Sequence, residues 1–184
     1  MSALPDKTEA GGPHFTRSRF RRRYYSRPGA FTADIRALLS HRRQIRRAMR
    51  ELIARDFRER LMMVVTQVNG CRYCRVYHSR QALSCGVSQT ELRDLLAGSI
   101  PAGAPDEELP AVLYAQHWAQ NDAHPNPKAD AHLDEVYGSE RADAIRIVRR
   151  MIRVGNLAGN AADYLLWRLT LGRCGLQKEE RGRD

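Results

Sequence analysis

The chain has 184 residues, of which 42% are hydrophobic, so we expect one globular domain with its own core rather than a disordered chain. No apolar run approaches the roughly 18 residues of a membrane helix, and the N-terminus lacks the apolar segment of a signal peptide, so we expect a cytoplasmic protein with no membrane partner. The formal net charge is +10, and all of the excess lies in residues 1–58, which hold 15 Lys and Arg against 5 Asp and Glu.

Residues 1–30 are predicted to form an extended or mobile arm, because they contain glycine and proline without apolar periodicity. Within the arm, residues 17–27 are strongly basic, and Phe20, Tyr24 and Tyr25 are interleaved with the arginines. Such a segment suits contact with nucleic acid, through phosphates and bases. The same segment could equally wrap around a partner subunit or form a solvated tail. Binding of nucleic acid is not the favoured interpretation.

The rest of the chain is predicted to be helical, since no segment shows the alternation that is typical of a strand. Apolar periodicity, cap residues and glycine stops indicate six or seven helices, with Gly138 separating the last two. They cover residues 32–57, 58–69, 71–84, 88–97, 109–120, 128–137 and 139–171. The sequence therefore predicts an all-α fold, with a single helical domain over residues 31–178 and a C-terminal tail over residues 179–184.

Three local patterns refine these helices. Thr32 is predicted to cap the first helix, and Ser88 with Glu91 forms the capping-box pattern before the fourth. Gly155 and Gly159 lie inside the last predicted helix, so they either weaken it or allow another helix to approach closely.

The apolar run over residues 61–65 is predicted to be buried, and Glu59 precedes it in the same helix. A carboxylate taken into a core needs either a partner or a proton. The sequence therefore marks Glu59 as a residue whose burial has to be explained.

Two cysteines and a histidine follow at helical spacing. Cys71, Cys74 and His78 are three and four residues apart, so on a helix they share one face. Gly70 with the asparagine before it forms a helix stop, which places Cys71 near the start of a new helix. Two thiols and a base at a helix N-terminus favour a thiolate at neutral pH.

The Cys-x-x-Cys pair alone has several interpretations. A c-type haem site is excluded because Arg75 follows the second cysteine where histidine is required. A zinc site needs four ligands, and this stretch offers three, so the fourth would have to be Cys85, Cys174 or a distant histidine. Zinc, a structural pair without chemistry and a dithiol–disulfide redox centre stay open. The redox centre is favoured, because in a reducing compartment such a pair is more often redox-active or metal-binding than structural, and no second Cys-x-x-Cys supports zinc.

The wider pattern is Glu59-x11-Cys71-x2-Cys74-x3-His78. It resembles the redox motif of the alkylhydroperoxidase D-like branch of the carboxymuconolactone decarboxylase family. The flanking residues agree, and so do the later stretches Tyr114-Ala115-Gln116-His117-Trp118-Ala119 and Gly155-Asn156-Leu157-Ala158-Gly159-Asn160. The resemblance covers roughly residues 32–172 and leaves out the basic arm.

The resemblance implies an all-α fold, subunits that associate as dimers, trimers or hexamers, and thiol peroxidase activity toward hydroperoxides. It implies that Cys74 attacks the peroxide and that Cys71 resolves the resulting sulfenic acid to a disulfide. Glu59 and His78 would form the proton relay that deprotonates Cys74. A lipoyl-bearing or thioredoxin-like donor would recycle the disulfide, and neither a metal nor another cofactor is expected.

Physical reasoning alone does not choose between the two sulfurs, since the helix dipole favours a thiolate at Cys71 and the imidazole of His78 favours one at Cys74. Tyr73 stands where the founding peroxidase of this branch has a histidine, and tyrosine is a poor base at neutral pH. Tyr73 and His117 are expected as pocket residues, although a core or interface position suits His117 better.

Two other functions compete with this interpretation. One is a non-enzymatic binding or assembly protein whose basic arm contacts nucleic acid or a partner. The other is a related enzyme that acts on a different small molecule. Lactone decarboxylation itself is not favoured, because that branch of the family works without the cysteine pair.

Overall fold

The computed structural model describes residues 19–124 and 126–180, and this part of the chain contains seven α-helices and no strand. The helices are α1 (Pro28–Ser40), α2 (Arg42–Arg47), α3 (Arg55–Asn69), α4 (Arg72–Ser84), α5 (Gln89–Ala97), α6 (Leu109–Gln120) and α7 (Pro127–Leu169). A π-helical turn (Ala48–Leu52) follows α2, and a short 3-10 helix (Lys178–Glu180) ends the described chain. The predicted all-α class and number of helices are confirmed. The first 18 residues of the predicted arm, Pro125 and residues 181–184 of the predicted tail lie outside the described residues.

Helix α3 lies at the centre of the bundle. It packs against α4, α5, α6 and α7, and ten of its fifteen residues are buried. Its fully buried side chains include Phe57, Leu61, Met63 and Val65. The prediction that this apolar segment is buried is confirmed. None of the helices among the described residues combines the length and hydropathy that crossing a membrane requires.

The first predicted helix differs from the structure in two ways. Helix α1 begins at Pro28 rather than at the predicted Thr32 cap, because proline suits the first helical position, where its missing N–H needs no partner. Thr32 instead donates its hydroxyl to a carbonyl in the first turn of α1. The prediction of one helix over residues 32–57 is also wrong, since α1 ends at Ser40 and the π-helical turn separates α2 from α3.

Helix α7 keeps the division that the sequence predicted. Gly138 has φ 70° and ψ 157°, which is not helical, so the helix is kinked at this residue. A positive φ of this kind is readily adopted only by glycine. The kink orients the second half of α7, which contains Gly155 and Gly159, against the centre of the bundle.

The start of α5 shows half of the predicted capping box. Ser88 Oγ accepts a hydrogen bond from the backbone N–H of Glu91 at 3.1 Å, as expected. The Glu91 carboxylate, however, pairs with the buried Arg60, which also contacts Asp56 at 2.8 Å and Glu108 at 3.0 Å. Burial raises the pKa of Glu108 to about 7. The cluster joins α3, α5 and the start of α6 around a single guanidinium.

The described part of the basic arm, residues 19–27, folds back onto the body of the protein. The Tyr24 ring stacks on Tyr164 with the ring centroids 4.1 Å apart, and Phe20 meets the same tyrosine edge-on at 5.5 Å. A solvated tail is therefore wrong for this part of the arm. Its aromatic rings are occupied by contacts within the chain.

Candidate active site

Cys71 and Cys74 lie at the N-terminal end of α4 with their sulfur atoms in contact. Gly70 ends α3 in the left-handed conformation, with φ 70°, and the resulting turn places Cys71 at the N-cap of α4. The backbone N–H of Cys74 donates to Cys71 Sγ at 3.3 Å, and the two sulfur atoms are 2.6 Å apart. The predicted position of Cys71 at a helix start is confirmed, and the two sulfur atoms lie close enough to be joined in a disulfide.

The two sulfurs differ in access. Cys71 is 0% exposed, and it borders a separate, smaller cavity of about 150 Å³. Helix α7 covers it at Gly159, where an added Cβ would lie 2.9 Å from Cys71 Sγ. Cys74 is half-buried and lines a larger open cavity together with Glu59 and His78. A molecule in that cavity therefore meets Cys74 rather than Cys71.

Glu59 and His78 form a hydrogen-bonded pair across the contact between α3 and α4. His78 Nδ1 lies 2.7 Å from Glu59 Oε2, and the two side chains are 14% and 5% exposed. The buried carboxylate therefore has the partner that its position requires. Since Nδ1–H donates to the carboxylate, Nε2 is left as the nitrogen that can accept a proton.

The larger cavity has a volume of about 570 Å³ and walls that are mainly apolar. The side chains of Arg55 and Arg58 also line it. The other lining residues include Met49, Met62, Tyr77, Met151, Ile152 and Gly155. This size and composition fit a small organic molecule with its reactive group directed at Cys74.

The contact between the sulfurs favours one negative charge on the pair. The hydrogen bond from the Cys74 thiol, with help from the backbone N–H groups of Tyr73 and Cys74, lowers the pKa of Cys71 to about 7. The pKa of Cys74 is raised, first because its thiol donates to Cys71 and then because it is buried. The first ionisation therefore belongs to the pair, and the one remaining proton is held between the two sulfurs.

The two residues between the cysteines are held by a carboxylate on α7. The Tyr73 hydroxyl donates to Asp163 Oδ1 at 2.7 Å, and Arg72 Nη2 donates to the same oxygen at 2.6 Å. Asp163 is fully buried, whereas the Tyr73 side chain is half-exposed. Tyr73, which was expected in the pocket, thus lies beside the dithiol but faces Asp163 instead of the Cys74 cavity.

Sequence reasoning did not single out Asp163, although the spacing carries a signal for it. Gly155, Gly159 and Asp163 are four residues apart on α7 and share one helical face. Asn156 and Asn160 form the neighbouring stripe, and both are fully buried. An aspartate on the face that contains Gly159, which approaches Cys71, needs a cationic partner once it is buried.

His117 does not join the cysteines. It lines a different cavity, between α6 and the first half of α7, together with Leu113, His132 and Leu133. Its side chain hydrogen-bonds Asn121 one turn later on its own helix. The expectation of His117 in the active-site pocket is therefore wrong, because its side chain lines the cavity between α6 and the first half of α7 and not the one that Cys74 lines.

In the described part of the chain, no group of three or more His, Cys, Asp or Glu side chains is arranged to hold a metal ion. Of the other two cysteines, Cys85 packs half-buried against the core and Cys174 is exposed. Neither has an assigned role at the site.

Replacement of the two glycines of α7 is expected to have opposite effects on stability. Gly159→Ala should lower the free energy of unfolding by about 1 to 2 kcal/mol, because the new Cβ lies 2.9 Å from Cys71 Sγ and has to displace it. Gly155→Ala meets nothing within 4 Å, so it should raise the free energy of unfolding by up to about 1 kcal/mol through helix propensity. Denaturant titration measures both changes, and an equal gain for both variants would contradict the close approach at Gly159.

A sequence model of the carboxymuconolactone decarboxylase family matches residues 30–120 of the chain. The matched range contains Glu59, Cys71, Cys74 and His78. Neither the curated proteins nor the solved structures contain a match to the chain.

Proposed function

Since the chain belongs to the carboxymuconolactone decarboxylase family, we propose that it is a thiol-dependent peroxidase that reduces hydroperoxides through Cys74 and Cys71. The observation that carries this proposal is the convergence of the sulfur pair and the Glu59–His78 pair beside one open cavity. Reduction of a peroxide bond consumes two electrons and two protons, and a dithiol supplies both. The scheme requires neither a metal nor a flavin.

The first step is attack by Cys74 on the peroxide. The proton between the sulfurs shifts to Cys71 across the 2.6 Å contact, so that Cys74 becomes the thiolate that faces the cavity. Its sulfur forms a bond to the outer peroxide oxygen while the O–O bond breaks. His78 Nε2 accepts the proton that the sulfur pair loses on ionisation, and it passes this proton to the leaving alkoxide, which departs as an alcohol. Cys74 is left as a sulfenic acid.

The second step is resolution by Cys71. This sulfur already contacts Cys74, so it needs no access to the substrate, and its pKa is lowered to about 7 at the N-cap of α4, which favours release of the proton that it took up in the first step. It attacks the sulfenic sulfur of Cys74, the S–O bond breaks, and the leaving hydroxide takes the proton of Cys71 and departs as water. The product is a Cys71–Cys74 disulfide.

The cycle closes when an external dithiol reduces the disulfide by thiol–disulfide exchange. We propose a lipoyl-bearing or thioredoxin-like donor, in line with the resemblance of the motif. Cys74, which is only partly buried, is the sulfur that such a donor reaches first, because Cys71 is covered by α7.

The experiment that tests the function is a single turnover. Protein with Cys174 replaced by serine is reduced, freed of reductant and mixed with one equivalent of an organic hydroperoxide. We expect one equivalent of alcohol and a Cys71–Cys74 disulfide in the peptide map, with Cys85 still a thiol as the internal control. Protein that leaves the hydroperoxide intact and keeps both thiols would contradict the proposed function and favour a different small-molecule reaction.

A further inference from the structure

Asp163 is the common acceptor for three residues from two other parts of the chain. Besides Arg72 and Tyr73 of α4, it binds Arg22 of the arm, whose Nη1 lies 2.7 Å from Asp163 Oδ2. The carboxylate is fully buried, and the Arg22 side chain is 7% exposed. A buried carboxylate and guanidinium in direct contact hold each other in place, because either one alone would remain an uncompensated charge.

The other N–H groups of Arg22 bind residues of α7 and of the C-terminal segment, next to Asp163. Its Nε lies 3.0 Å from Glu180 Oε1, Nη1 lies 3.2 Å from Asn160 Oδ1, and Nη2 donates to the Gly175 carbonyl. Asn160 in turn donates to the Asn69 carbonyl at the end of α3, at 2.7 Å. One arginine of the arm therefore links α7, the C-terminal segment and the turn that precedes Cys71.

The network also sets the charge that the dithiol faces. Asp163 acts electrostatically on Cys71 and opposes its ionisation. Arg22 and Arg72 offset this carboxylate, and Tyr73 donates a hydrogen bond to it. The other charged groups nearby are Glu180, which is paired with Arg22, and Arg75, which borders the small cavity at Cys71.

We propose that Arg22 is a positioning residue of the dithiol centre, which holds Asp163 so that this carboxylate anchors the residues between the two cysteines without repelling a thiolate. The part of the basic arm nearest the body is thus an element of the redox site. This inference rests on the proposed thiol chemistry. It adds a residue outside α3 and α4, Arg22, to those that set the reactivity of the two cysteines.

The test is the pH dependence of alkylation of the Cys71–Cys74 pair by iodoacetamide, followed by peptide mass spectrometry. In the unmodified protein the rate should rise with pH through a midpoint near 7, the value to which the pKa of Cys71 is lowered, because the thiolate is the reactive form. Arg22→Gln should raise the midpoint by about one pH unit, since the negative charge of Asp163 is then offset by one guanidinium fewer and opposes a thiolate more strongly. Asp163→Asn should lower it, because the opposing charge is removed.

The opposite signs separate positioning from simple loss of structure. Both substitutions break the same buried ion pair and lower stability, so a purely structural role would move both midpoints in the same direction. Arg22→Lys keeps the charge and should restore most of the normal midpoint. Arg23→Gln is the matched control, because Arg23 contacts the carbonyls of Ala119 and Gln120 rather than Asp163, and its midpoint should not move.

The outcomes also separate this inference from the proposed function. Midpoints that shift in opposite directions support the inference even where hydroperoxide is not consumed, in which case only the peroxidase function falls. The reverse outcome is also possible. If hydroperoxide consumption depends on Cys74 but the midpoints of Arg22→Gln and Asp163→Asn stay unchanged or shift in the same direction, the inference is overturned and the proposed function stands.

Discussion

Replacement of Cys74 by serine is expected to lower the rate of hydroperoxide reduction by at least about a thousandfold. Serine is close to cysteine in size, so the turn at the start of α4 should persist. A hydroxyl, however, does not ionise at neutral pH and cannot store the peroxide oxygen as a sulfenic acid. The rate is measured as hydroperoxide consumption with dithiothreitol as the electron donor.

Cys85→Ser is the matched control for this substitution. Cys85 is also half-buried and ends the same helix, but it does not line the Cys74 cavity. Its replacement should leave the rate within about twofold of the unmodified protein. Equal rates for Cys74→Ser and the unmodified protein would contradict a nucleophilic role for this sulfur.

Replacement of Glu59 by glutamine is expected to lower the rate by about a hundredfold, the lower end of the range for a positioned acid–base group. Glutamine is of similar size and can still hydrogen-bond His78. It has no negative charge to place beside the imidazolium that forms when the ring takes the proton. The loss should appear in hydroperoxide consumption, while alkylation at high pH, where no base is needed, should be nearly unchanged.

The chain offers a second Glu–His pair as the control for Glu59. His132 Nδ1 lies 3.2 Å from Glu135 Oε2, and both side chains are more than half exposed. Glu135→Gln therefore makes the same chemical change to an acid–imidazole pair away from the cysteines, and the rate should not change. A Glu59→Gln enzyme as active as Glu135→Gln would show that the buried pair carries no proton in the reaction.

Local features of the fold followed from the sequence, because the residues that determine them are close along the chain. The spacing of Cys71, Cys74 and His78 predicted a shared helical face, and Gly70 predicted the stop that exposes the helix start. Gly138 predicted the kink in α7 through its backbone freedom. These predictions depend on a few neighbouring residues and on helical geometry, so tertiary packing did not change them.

The contacts that complete the site depend on tertiary structure. Glu59 was marked by its burial and by a family resemblance, and neither fixed the distance to His78. Arg22 stands in a run of arginines that look alike in the sequence, yet Arg22 contacts Asp163 whereas the next arginine, Arg23, contacts the carbonyls of Ala119 and Gln120. These two partners are 141 positions apart, and no local periodicity relates them. His117 was misplaced for the same reason, since a helical pattern does not say which neighbour a face meets.

The central claim is that Cys74 takes the peroxide oxygen and Cys71 resolves it. The most direct measurement is dimedone trapping of sulfenic acid after one equivalent of hydroperoxide, with peptide mass spectrometry, in Cys71→Ser and Cys74→Ser. The adduct should form at Cys74 in Cys71→Ser, and Cys71 should remain unmodified in Cys74→Ser because α7 covers it. An adduct at Cys71 in Cys74→Ser, with none at Cys74 in Cys71→Ser, would reverse the two roles.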